Sequence, residues 1–201
     1  MLDQEYYKSY QHSLGYYTLG NIIIIRGKKN MTAQVITAPE DEMDRYISVF
    51  LAGGITNCKD WQSEVIEELI DEKITIYNPR RKYFDITEKN ISYEQIEWEF
   101  RQLEGMDIFS MYFCGGDSIQ PICMYELGRN IIRMQNRFPT DWEKRIVISC
   151  EVDYIRKEDV IIQTELATQN KVFVEHNATP ELHAQYIKRA IRNIKNNTQS
   201  L

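Results

Sequence analysis

A chain of 201 residues has room for one domain and not comfortably for two. Its 43% hydrophobic content is enough to fill a core, and its 11% aromatics argue against a disordered chain. The formal net charge of −6 argues against a nucleic-acid-binding surface, although a local Arg or backbone donors would still admit a small anionic nucleotide.

Residues 1–30 read as an extension rich in tyrosine (Tyr6, Tyr7, Tyr10, Tyr16, Tyr17) and punctuated by Gly15 and Gly20. Ile22 to Ile25 reads as a short strand ended by Arg26-Gly27-Lys28-Lys29. The segment suits a terminal extension, an added hairpin, or an arm that packs on a neighbouring subunit. Residues 31–201 then alternate. Strands are expected over 34–37, 48–52, 74–77, 107–113, 145–150 and 171–174. Helices are expected over 60–69, 92–104, 121–134 and 157–166, with a last one starting at Thr179-Pro180 as N-cap and N1. Asp60 is positioned to cap the first, and Ser92-x-x-Gln95 has the spacing of a capping box for the second. Pro139 to Trp142 reads as a loop. Strands separated by helices of this length mean βαβ units and a mainly parallel sheet. Near-continuous apolar strands mean that both faces are covered. The fold class is therefore α/β, Rossmann-like or flavodoxin-like, in a single domain with an N-terminal extension.

Cys58, Cys114, Cys123 and Cys150 form no C-x-x-C pair and no zinc spacing, so reduced thiols and no metal are expected. No cofactor is called for. His12, His176 and His183 lie far from the motifs and read as surface or core residues. The longest aliphatic run, Ile22 to Ile25, is far too short to span a membrane, and Asp3 and Glu5 do not fit a signal peptide. A cytoplasmic protein is expected.

The strand ends carry the candidate chemistry, because ligands of open α/β sheets sit at the carboxyl ends of the strands. Gly53 and Gly54 end one strand and allow close approach of a ligand to the backbone. The pair is neither a dinucleotide fingerprint nor a phosphate loop. Asp60 and Trp61 follow at a helix start, as a cap and a ring able to stack on a base. Asn78-Pro79-Arg80-Arg81 ends the next strand on the same rim. Asn78 suits a sugar hydroxyl or base edge, and Arg80 or Arg81 a phosphate. Glu94, Glu97, Glu99 and Glu104 share a helix with Trp98; Glu97 has the spacing to pair with Arg101, whereas Glu99 has no such partner. One of Glu97 or Glu99 is a candidate general acid. Glu126 is the sharpest candidate. It lies early in the helix that follows an apolar strand and the turn Cys114-Gly115-Gly116-Asp117-Ser118. A carboxylate there can attack an anomeric carbon and form a glycosyl ester, or can simply favour the helix macrodipole.

Taken together and in order, Phe50-Leu51-Ala52-Gly53-Gly54-Ile55, Asp60-Trp61-Gln62, Asn78-Pro79-Arg80-Arg81, Glu94 to Glu99, Pro121-Ile122 and Tyr125-Glu126-Leu127-Gly128 resemble the nucleoside 2-deoxyribosyltransferase-like proteins of bacteria and their phages. Asp153-Tyr154 and Asp159 to Thr164 fit the same branch, and the resemblance spans roughly residues 31 to 190. It implies a homodimer or higher homo-oligomer. It also implies cleavage of a deoxyribose-to-base N-glycosidic bond, with transfer to another base or to water. By position, Glu126 matches the nucleophile and Glu99 the acid at the leaving base, with Glu97 as near neighbour. Gly53 and Gly54 line the crevice, and Asp107 matches a structural acid. The expected partner is a small nucleoside or nucleotide, recognised through Asp60, Trp61, Asn78, Arg80, Trp98 and Ser118, with no nucleic acid and no membrane.

The chain departs from the pattern in two places. Phe50 stands where these transferases carry a Tyr that orients the nucleophile, leaving Tyr77, Tyr83 or Tyr125 as replacements. Where these transferases carry an Asp a few residues before the nucleophile, the chain reads Asp117-Ser118-Ile119-Gln120, and no one of these is assigned its place. Two other readings follow: hydrolysis of NAD-derived nucleotides, which calls for a larger Arg-lined pocket, and nucleotide binding or sequestration without turnover.

Overall fold

The computed structural model describes residues 16–19, 22–25, 32–43, 46–83, 87 and 89–198. Tyr6, Tyr7, Tyr10, His12, Gly15, Gly20 and the Arg26 to Lys29 turn lie outside these residues. In chain order the elements are β1 (Tyr16–Leu19), β2 (Ile22–Ile25), β3 (Gln34–Thr37), β4 (Ser48–Gly53), α1 (Trp61–Leu69), β5 (Thr75–Asn78) and α2 (Ile91–Gly105). They continue with β6 (Ile108–Phe113), α3 (Pro121–Arg137), a 3-10 turn (Trp142–Arg145), β7 (Ile146–Cys150), α4 (Lys157–Thr168), β8 (Val174–Glu175) and α5 (Pro180–Thr198). β1 and β2 form an antiparallel hairpin.

The other six strands form one parallel sheet in the order β3-β5-β4-β6-β7-β8. Apart from the extra edge strand β3, this is the flavodoxin-like order. The chain leaves β4 for β5 on one side, then crosses back over β4 to β6 on the other. The carboxyl ends of β4 and β6 therefore diverge into a crevice.

Alternation along each strand divides the side chains between two cores. Phe50, Ala52, Phe109, Met111 and Phe113 face α2, α3 and α4 with Trp98, Leu127, Met134 and Val160. Val49, Leu51, Ile108 and Tyr112 face α1 and α5 with Trp61, Leu69, Ile187 and Ile191. The sheet is held from below and behind by polar links. At the amino end of β4, the Asp107 carboxylate accepts from the Ser48 N–H (3.0 Å) and hydroxyl (3.1 Å), tying the start of β6 to that of β4. On the α5 side, the ring of fully buried His183 bridges Ser110 of β6 and Ser149 of β7, 2.7 Å from each hydroxyl. Burial lowers the His183 pKa to about 3, so the ring stays neutral.

Several local expectations are corrected. Asn90, not Ser92, caps α2; it has φ +79° and no side-chain cap bond. The Gln95 amide is engaged instead with the Pro79 carbonyl and the Glu99 carboxylate. The Glu97–Arg101 pair does not form; Arg101 reaches Asp41 at 3.1 Å. The strand expected over 171–174 is reduced to Val174–Glu175, and Asp141 precedes a 3-10 turn with Trp142 buried where only a loop was expected. Asp60 does cap α1, accepting from the Ser63 N–H at 3.2 Å, and Thr179 accepts from Leu182 N–H at the start of α5. Among the described residues, no helix is long and apolar enough to cross a membrane.

Candidate active site

The crevice opens into a cavity of about 420 Å³. One wall is the end of β4 and its following loop, from Phe50 and Ala52 through Gly53, Gly54, Ile55, Thr56 and Asn57. The opposite wall is the β6–α3 loop, Asp117 to Gln120, running into Pro121, Ile122 and Cys123 of α3. Pro79 after β5, Glu99 of α2 and Glu126 of α3 complete it. Its size and mixture of apolar wall and few polar groups are those of a small-molecule site.

The two glycines let the walls close on each other. Gly53 has φ +152°, and a Cβ there would run into the Tyr112 carbonyl oxygen and the Trp61 ring. A Cβ on Gly54 would meet the Cys58 sulfur and, at 2.5 Å, the Gln120 side-chain oxygen. Trp61 lies in the core beneath them: it is 0% exposed, donates from its indole N–H to the Gly54 carbonyl (2.9 Å), and stacks on Tyr112 at 4.7 Å between centroids.

Glu126 and Glu99 are the two half-buried carboxylates of the lining; the third, Asp117, is exposed. α3 begins at Pro121, and Cys123 and Glu126, three residues apart, share the face turned to the cavity. Burial, then the like charge of Glu99, raise the Glu126 pKa from 4.5 to about 7; Arg129 opposes them. Burial also raises Glu99, against a hydrogen bond from the Gln95 amide (2.7 Å) and the charge of Arg81. Arg81 is linked to the pair through Gln95, whose oxygen accepts from the Arg81 Nε at 2.5 Å. A carboxyl raised to about 7 beside a second one whose pKa burial also raises is only partly ionised at neutral pH. One can then act as a base or nucleophile while the other holds a proton. Cys123, beside them, is held as a neutral thiol, its pKa pushed up to about 12 chiefly by burial.

The remaining expected site residues are distributed differently. Gly53, Gly54 and Ser118 line the cavity, the Ser118 hydroxyl donating to the Thr56 carbonyl at 3.2 Å. Glu97 is exposed and outside the lining. Trp98 is buried and donates to the Glu40 carbonyl at 2.7 Å, away from the cavity. Asn78 is buried, and its side-chain oxygen accepts the Arg80 N–H at 3.0 Å. Asp60 pairs with Arg80 at 3.2 Å. The Arg80 guanidinium also donates to Gln62 and to the Lys59 carbonyl, both at 2.9 Å. These residues brace the rim between β4 and β5 rather than face the cavity. Tyr83 and Tyr125 are exposed and Tyr77 is buried; none of the three lines the cavity beside Phe50.

A second bracing point lies behind the β6–α3 loop. The Glu151 carboxylate accepts from the Tyr112 hydroxyl (2.6 Å) and the Gly115 N–H (2.8 Å) and pairs with Lys59 (2.8 Å). Burial works to raise its pKa, but these three donors outweigh burial and hold it below the usual range. Neither Glu151 nor Gln120 was singled out from the sequence. Only the position of Gln120, just ahead of α3 in the segment flagged by the resemblance, offered a signal.

No curated protein matches the chain significantly. The segment 46–138, which runs from just before β4 to the end of α3 and holds every lining element of the cavity, matches the family model described as "Nucleoside 2-deoxyribosyltransferase like". Over that segment the chain is similar to the nucleoside 2-deoxyribosyltransferase-like family.

Proposed function

We propose that the protein breaks the N-glycosidic bond of an unphosphorylated (deoxy)nucleoside and passes the glycosyl group to another base or to water. Glu126 attacks the anomeric carbon as the base leaves, giving a glycosyl ester. Glu99 supplies the proton that the departing base needs. The acceptor, water or a second base, then gives up a proton to Glu99 as it displaces Glu126. The observation that carries this reading is the pair itself: two carboxyls, Glu126 early in α3 and Glu99 of α2, facing one cavity of small-molecule size.

The lining supports a neutral substrate. Among the described residues it contains Glu99, Asp117 and Glu126 and no Lys, Arg or His. A 5′-phosphate would meet carboxylates there without a cation, whereas a neutral nucleoside would not. Arg80 and Arg81, the residues suited to a phosphate, are bonded to Gln62, Lys59, Gln95 and Glu94. The same lining disfavours an NAD-derived substrate with its pyrophosphate.

The test is a product assay by liquid chromatography and mass spectrometry. Pooled deoxynucleosides, ribonucleosides, their 5′-monophosphates and NAD are incubated with wild type and Glu126→Gln, with and without a free acceptor base. The expected result is base release or exchange from free nucleosides, lost by about 10³-fold or more in the variant. Undiminished turnover by Glu126→Gln, or consumption of the monophosphates alone, would overturn the proposal.

A further inference from the structure

We infer that Gln120 is a positioning residue: its side-chain amide stands in for a missing strand neighbour at the end of β6 and so sets the loop that delivers Glu126. This rests on the reading of Glu126 as the reacting carboxylate.

The β4 partner of β6 ends at Gly53 opposite Tyr112, and the β7 partner ends at Cys150 opposite Phe113. Cys114 is the next residue, buried and past the last pair on both sides. Its N–H and C=O would be orphaned there, which a buried backbone rarely tolerates. Gln120 supplies both partners. Its side-chain oxygen accepts the Cys114 N–H at 3.3 Å, and its amide nitrogen donates to the Cys114 carbonyl at 2.8 Å. The amide nitrogen also donates to the Ser118 carbonyl at 3.2 Å, which closes the loop on itself.

The backbone of Gln120 is left-handed (φ +48°, ψ 53°), unusual for a residue other than Gly, Asn or Asp. That conformation turns the side chain back over the loop while its carbonyl accepts the Met124 N–H at 3.3 Å, opening α3. Gln120 is 6% exposed, and its amide lies against Gly54, where any Cβ would collide with it. One side chain thereby connects the end of β6, the floor of the cavity and the helix that carries Glu126. Both amide hydrogens are engaged with backbone carbonyls, so the Gln120 side chain has no free N–H to donate to a substrate.

The experiment compares wild type with Gln120→Met, which keeps the length and removes every polar atom, and with Gly54→Ala, which displaces the amide from the opposite side. Two readouts are taken: NMR hydrogen exchange at the Cys114 amide, and kcat and KM on the nucleoside identified by the product assay. In folded Gln120→Met, Cys114 exchange is expected to rise at least about tenfold. kcat is expected to fall about 10²-fold with KM within about threefold, as for a misplaced reacting group. Gly54→Ala is expected to move both readouts in the same direction, and the double variant to be no worse than the more damaged single.

Unchanged Cys114 exchange in folded Gln120→Met overturns the inference. So does faster exchange with kcat and KM intact, or a raised KM with kcat intact, which would make Gln120 a substrate contact. If Gln120→Met does not fold, Gly54→Ala decides by the same criteria. If wild type turns over no nucleoside, the glycosidic reading fails by itself. Cys114 exchange then still decides whether Gln120 braces the loop, and unchanged exchange in the variants overturns it.

Discussion

If Glu126 is held near neutrality by burial, its ionised form destabilises the fold, and removing its charge should stabilise the protein while abolishing turnover. The perturbation is Glu126→Gln, which keeps the shape of the side chain. The pKa is raised from 4.5 to about 7, so the folded state binds this proton more tightly than the unfolded chain. A raised pKa contributes stability that is fully present below pH 4.5 and is lost as pH climbs through 7. With about 1.4 kcal/mol per unit, the loss approaches about 3 kcal/mol by pH 8. Glutamine does not titrate and does not suffer it. The difference in unfolding free energy between variant and wild type should therefore grow by about 3 kcal/mol from pH 4.5 to pH 8. In a chain of this size that corresponds to a Tm difference of about 6–12 °C at the upper pH. Urea titrations and thermal melts of both proteins at half-unit pH steps measure it. A difference that stays flat across this range, or a Glu126→Gln protein that loses stability relative to wild type as pH rises, would refute the argument that burial and Glu99 raise this carboxyl.

The neighbouring residues give three further expectations. Glu99→Gln removes the proposed proton donor, so turnover should fall most for bases that leave poorly without a proton; an equal loss across all bases would refute that role. His183, lowered from 6.5 to about 3 by burial, contributes stability that is whole above pH 6.5 and is lost as pH falls towards 3. The loss is about 2 kcal/mol by pH 5, and His183→Gln should flatten that slope in urea titrations. Gly53→Ala sets a Cβ against the Tyr112 carbonyl at a positive φ and should cost more than about 1 kcal/mol, read as a lowered denaturation midpoint; a neutral result would mean that β4 and β6 can separate locally.

Much of the architecture is legible in the chain because it depends on local pattern. Val49 to Ala52, and Ile108 to Phe113 apart from Ser110, are apolar on both alternations, which suits a sheet covered on both faces. Gly53-Gly54 ends one of these strands, and Glu126 follows the other across a glycine turn. The parallel topology then brings both strand ends to one crevice. That much places Glu126 and the glycines before any coordinate is known. Tertiary structure decided which of their neighbours join them. Glu97 and Glu99 flank Trp98 on opposite sides of the buried stripe of α2, and helical periodicity treats them alike. α3 packs on the side where Arg129 covers the Phe100 ring at 4.3 Å and reaches Glu104, and that side carries Glu99 into the cavity. Trp61, Trp98 and Arg80 suited a ligand by residue type. Each instead found a partner outside its own element: the Gly54 carbonyl, the Glu40 carbonyl and Gln62. Gln95 is the same case, since its spacing fits a capping box but the Pro79 carbonyl and Glu99 lie within its reach. A residue's type and spacing determine what it can bond. Only packing determines which competing partner is close enough, because a buried polar group takes whatever partner the fold presents to it.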